Sequence, residues 1–167
     1  MDSYISFIHS YWFRDELDFD RWFKTSHQYD SEIKILFSDI LKQAEKGNLE
    51  SWSSTQQGFV SYVVLLDQFS RQIYRNSHKA YSNDIRVIKF VRKHLSRYIK
   101  TLSAIELLFV LMPFQHSEDL KDQEEGLQIL KRLVKNAKNQ DEKQILSHAL
   151  SYQKGHYEVI KKFGRFP

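Results

Sequence analysis

Five glycines and two prolines in 167 residues leave this chain short of the residues that turn one strand back against the next. Tight hairpins call for Gly, Asn or Pro at their corners, whereas helices need such residues only at their ends. The apolar pattern points the same way. Between about 26 and 46, Tyr29, Ile33, Leu36, Phe37, Ile40, Leu41 and Ala44 recur at intervals of three and four, and Gly47 closes the run. The expected fold class is all-α: six to seven antiparallel helices in a single helical domain over 1–167.

The remaining helices follow from the same signals. A short one over 3–13 ends in the anchors Tyr11, Trp12 and Phe13, and "DRWFK" after it reads as a polar loop. A segment from about 54 to 72 opens on Ser and Thr capping candidates. A basic helix covers about 84–98. Ser103 and Glu106 have the spacing of a capping box and open "AIELLFVLM", which is apolar on every face and so expected at the centre of the core, with Pro113 disturbing its end. Ser117 reads as the N-cap of the next helix, with Glu118 and Asp119 in its first turn. A last helix over about 141–163 stops at Gly164.

Composition narrows the setting. There is no cysteine, which removes disulfides, thiolate catalysis and cysteine-bound zinc. The start "MDSYISFIHSYWFRDE" has no cationic region of the kind a secretory signal needs. The longest apolar stretch, "LSAIELLFVLMPF", carries Glu106 and falls short of the ~18–20 residues of a membrane span. A soluble cytoplasmic protein with no membrane partner is expected. The formal net charge is +4, from 25 basic and 21 acidic residues. The basic run "RVIKFVRKHLSRYIK" reads as a solvated helix face opposite Val87, Ile88, Val91 and Leu95. Without aromatic platforms or a reading motif, nucleic acid is not an expected partner.

Three polar clusters stand out against this background. In "LLDQFSRQIYR", Asp67 and Arg71 are spaced to pair on one helix, acid first, directly after the uncharged run "FVSYVVLL". A carboxylate at the edge of a core needs a charged or donor partner. Arg71 can supply it, and Arg75 is one turn further on. "PFQHSEDLKDQ" gathers His116, Ser117, Glu118 and Gln123 around a helix start, without the HExxH form of a metal site. "GHYEVIKKFGRFP" ends the chain with His156, Arg165 and an aromatic tail that is costly to leave in water, so docking of the tail is expected. Each cluster also has a plain structural reading: a register-fixing salt bridge, a capped helix start, a simple helix stop.

In that order, the three segments resemble a bacterial family known only as domain of unknown function 924, as do the early Trp and Phe positions. The resemblance implies an all-helical, tetratricopeptide-like bundle and no agreed activity, although no repeat of that consensus recurs in the chain. It marks Asp67, Gln68, Phe69 and Arg71 in the first motif. In the second it marks Pro113, Phe114, His116, Ser117, Glu118 and Gln123, and in the third His156, Phe163, Gly164, Arg165, Phe166 and Pro167. Ser70 stands where the family usually has proline and Gln115 where it often has an acid or Met. The family pattern also continues past the proline with a His-Arg-Asn-like tail, where this chain ends.

Two functions from different classes are open at this point. One is a binding module whose polar pocket holds an anionic metabolite or an acidic peptide end, lined by Asp67, Gln68, Arg71, Arg75, His116, Ser117, Glu118, Gln123, His156 and Arg165. The other is a small hydrolase-type enzyme with His116 or His156 as general base and Asp67 or Glu118 orienting it. Neither a serine elbow nor a P-loop supports the second. No cofactor or metal is expected, and the oligomeric state is open.

Overall fold

The computed structural model describes residues 2–14 and 19–167. They form α1 (Asp2–Trp12), α2 (Phe19–Phe23), α3 (His27–Glu45), α4 (Gln56–Val63), α5 (Ser70–Ile73), α6 (Asp84–Tyr98), α7 (Ala104–His116), α8 (Leu120–Lys135) and α9 (Gln140–Phe163). The described residues contain no strand, so the all-α class holds. A π-helical stretch, Val64–Phe69, joins α4 to α5 into one rod, and short 3₁₀ turns cover Glu50–Ser54 and His78–Tyr81. With that rod taken as one helix the described residues have eight, slightly more than expected. The addition is α2, over the expected loop "DRWFK": Trp22 is buried and its indole Nε1 donates to Trp12 O at 3.0 Å.

The helix ends follow local chemistry. Ser26 accepts the Tyr29 amide at the start of α3, Thr55 that of Gly58 at the start of α4, and Asn139 that of Glu142 at the start of α9. Ser103 and Glu106 complete a reciprocal capping box ahead of α7. Gly164 stops α9 in the left-handed region at φ 70°, its amide bonded to Ile160 O. Two expectations are corrected. Helix α7 runs through Pro113 to His116. The ring withholds only one amide, with barely a turn of helix left, so the helix ends little disturbed. The N-cap of α8 is Asp119 and not Ser117: Asp119 Oδ1 accepts the Lys121 amide at 2.8 Å, while the Ser117 hydroxyl is turned to Asp122 at 2.7 Å.

The chain divides into two compact units, Met1–Val87 and Ile88–Pro167. In the first, α1 and α3 pack on the α4–α5 rod. The Phe69 ring lies 4.6 Å from Phe37 and 5.5 Å from Trp12, and edge-on to Tyr11 at 6.0 Å, a clustering of large rings that contributes beyond area alone. In the second, α7, α8 and α9 pack on one another, and every residue of α7 from Leu107 to Gln115 is buried. Gly126 sits where α8 meets its neighbours, with room for hydrogen only: a Cβ there would come within 2.8 Å of both Phe114 Cβ and Gln153 Oε1. No helix among the described residues is long and apolar enough to cross a membrane.

Candidate functional site

Of the ten residues expected to line a pocket, Asp67, Gln68, Arg71 and Arg75 lie in the first unit. His116, Ser117, Glu118, Gln123, His156 and Arg165 lie in the second.

Asp67 sits in the π-helical stretch, where Ser70 N–H reaches back five residues to Leu65 O. Such a bulge widens the helix and frees it from the usual ladder, a feature frequent at functional sites. The Asp67 side chain is wholly buried. Its Oδ1 takes Arg71 Nη1 at 3.2 Å and its Oδ2 takes Gln68 Nε2 at 2.6 Å, while Arg71 Nη1 also donates to the Asp67 carbonyl at 3.0 Å. Arg71 reaches further than the sequence indicated, since its Nη2 donates to Asp84 Oδ2 at 3.0 Å. One face of the guanidinium lies 5.6 Å from the Tyr81 ring centre. Burial works against its charge, but the carboxylates of Asp67 and Asp84 outweigh it and raise the pKa. One cation is thus held by two acids.

Arg75 turns elsewhere. It forms a two-pronged pair with Asp30 of α3, Nη2 to Oδ1 at 2.7 Å and Nε to Oδ2. That hydrogen bonding, opposed by burial and reinforced by the Asp30 charge, raises its pKa. Asp84 and Asp30 were missed by sequence reasoning, and Asp84 carried only the signal of a first-turn acid.

In the second unit the second and third motifs meet. Gln123, fully buried, donates to Gln115 O at 2.9 Å and Ser117 O at 2.7 Å, and accepts from Gln153 Nε2 at 2.6 Å. It therefore ties the end of α7 and the body of α9 to α8. Glu118 Oε1 accepts the Phe166 amide at 2.9 Å, and the Phe166 ring stands edge-on to His156 at 5.4 Å. Docking of the tail is thus partial: Phe166 is half-buried, while Phe163, Arg165 and Pro167 are exposed. Burial, and then the neighbouring His116, push the His156 pKa down. Among the described residues no group of three or more His, Asp or Glu side chains is placed to hold a metal ion.

The second unit also carries a groove of about 800 Å³ that sequence reasoning did not single out. Leu95, Leu107, Phe114 and Ile129 form its buried floor, and Ile99 and Leu133 are half-buried along it. At one end Arg92 lies 5.7 Å over the Phe114 ring and binds Asp122 Oδ1 at 2.7 Å and Glu125 Oε2 at 2.6 Å. At the other end Lys138 Nζ donates to Lys100 O at 3.4 Å, so the stretches 92–100 and 122–138 run in the same sense along the groove. Lys100, Arg132 and Lys138 line that end with Glu142. Among the described residues no carboxylate pairs with the side chain of Lys100 or Arg132. The only sign of this site in the sequence is a pair of amphipathic helices with basic outer faces.

No curated protein matches the chain. The solved structure of a protein of unknown function from Agrobacterium tumefaciens is similar over 99% of this chain and 87% of that one, with a TM-score of 0.85 and 23% sequence identity. That likeness shows the all-helical fold. A family model described as bacterial protein of unknown function, DUF924, matches residues 8–167, and the chain belongs to that family.

Proposed function

We propose that the chain is a cytoplasmic, tetratricopeptide-like binding module that takes an anionic metabolite or an acidic peptide end, and that its ligand seat is the groove of the second unit. The observation behind this reading is a difference in charge matching. Arg71 and Arg75 already face three carboxylates, those of Asp67, Asp84 and Asp30, so an arriving anion would have to displace a buried partner. Among the described residues no carboxylate pairs with Lys100 or Arg132, although Glu142 lines the same end, and both stand over an apolar floor. A concave, largely apolar site with a few convergent polar groups is the usual form of a small-ligand pocket. Nucleic acid and membrane are not partners in this reading.

Thermal-shift titration with a panel of anions and short acidic peptides tests it. A ligand should raise the wild-type melting temperature and fail to do so in Arg132→Glu, while Arg165→Ala responds as wild type does. Loss of the effect in Arg165→Ala with Arg132→Glu unaffected would move the site to the motif residues.

One observation favours an enzyme instead. His156, kept neutral by burial and by His116, is in the state a general base requires. Against this, Glu118 is occupied by the tail amide, and Asp67 by Arg71 and Gln68. Turnover of model esters by the wild type, abolished in His156→Gln, would put the enzyme first.

A further inference from the structure

We infer that the groove of the second unit accepts a single-chain amphiphilic acid, an alkyl carboxylate with its head at Arg132 and Lys100 and its tail running over Leu95 and Ile129 towards Phe114. This rests on the reading of the groove as the ligand seat and names the chemistry of its ligand.

The two ends of the groove differ in charge, which sets the direction. At the Phe114 end, Arg92 is met by both Asp122 and Glu125, so no positive charge is left over for a ligand head. Its hydrogen bonds to Glu125, opposed by burial and reinforced by those to Asp122, raise the Arg92 pKa and keep that end internally satisfied. At the far end the Glu142 carboxylate accepts the Lys138 backbone amide at 2.6 Å. Lys100 and Arg132 keep an excess of positive charge there. A carboxylate gains charge-assisted hydrogen bonds at that end only.

The floor sets the tail. From Arg92 to Tyr98 the rise of α6 spans about 9 Å, and besides the polar Ser96 and Asn136 the groove is lined there by Leu95, Ile99, Ile129 and Leu133. A peptide laid over these four apolar side chains would leave the amide groups facing them without donors or acceptors, which costs free energy for each one left unmatched. An alkyl chain has no such groups and gains from each methylene buried. The volume, about 800 Å³, lies in the range of small-molecule sites. A short acid such as acetate would meet the head but leave the floor wet.

Calorimetric titration of the full chain with decanoate, acetate, decyltrimethylammonium and a short acidic peptide decides the matter. Decanoate should bind and acetate should not. Arg132→Glu should weaken decanoate about tenfold or more, the scale of one lost charge-assisted contact. Arg132→Gln, which drops only the charge at an exposed position, should fall between. Leu133→Asp, which puts a charge in the tail's path, should abolish binding while the circular dichroism spectrum stays helical. Equal affinity for decyltrimethylammonium, or decanoate binding indifferent to both Arg132 variants, would overturn the assignment of the head. If decanoate fails while the peptide binds wild type and is lost in Arg132→Glu, the groove stands and the amphiphile falls. If neither binds, both fall.

Discussion

Arg71 meets Asp67 twice, once on its carboxylate at 3.2 Å and once on its own backbone carbonyl at 3.0 Å. A single guanidinium nitrogen thereby supports a buried charge and a main-chain acceptor of the same residue, inside a helix widened by a π turn. The consequences of removing each partner should differ. Asp67→Asn leaves Arg71 with Asp84 and the Asp67 carbonyl, and should cost about 1–3 kcal/mol. Arg71→Met takes its cationic partner from a wholly buried carboxylate, and should cost about 3–5 kcal/mol. Urea unfolding of both variants checks the order; equal losses would mean that Asp67 does not depend on Arg71.

Gly126→Ala should destabilise the second unit. Its added methyl would meet Phe114 Cβ and Gln153 Oε1 at 2.8 Å, and overpacking of this kind typically costs about 1–3 kcal/mol. A variant as stable as wild type in thermal unfolding would show that α8 and α9 can part to admit it.

His156 gives the chain a dependence on acid. Its folded pKa lies below the unfolded value of 6.5, so the unfolded state binds the proton more readily. Stability contributed by neutral His156 is complete above about pH 6.5 and is lost as pH falls below it towards the folded pKa. The melting temperature should therefore drop as pH falls below about 6.5, and His156→Gln should flatten that part of the profile. An unchanged slope in the variant would place the acid sensitivity elsewhere.

What the sequence disclosed was chemistry between near neighbours. The apolar spacing of α3, the Ser103–Glu106 box and the Gly164 stop each depend on residues within a turn or so, and each stands where it was read. The Asp67–Arg71 pairing was legible for the same reason. Its second acid, Asp84, and the Asp30 that takes Arg75 are brought in by tertiary packing, which no local pattern records. The π stretch over Val64–Phe69 has no composition of its own. Helix α2 is only five residues long, too short for an apolar period to show. At the start of α8, Ser117 and Asp119 are both good caps: Ser117 Oγ accepts the Asp119 amide and Asp119 Oδ1 that of Lys121, and Asp119 is the N-cap because the helix begins only at Leu120. The groove was invisible because its floor residues look like ordinary core positions and its rim like an ordinary charged face.

We place this chain's anion seat in the groove of the second unit and not at the Arg71 cluster. An amide-resolved NMR titration of the full chain with decanoate tests it most directly. Saturable shifts should be confined mainly to residues 95–100 and 129–138, with residues 65–75 unmoved. Shifts centred on 65–75, with the groove amides unchanged, would contradict it.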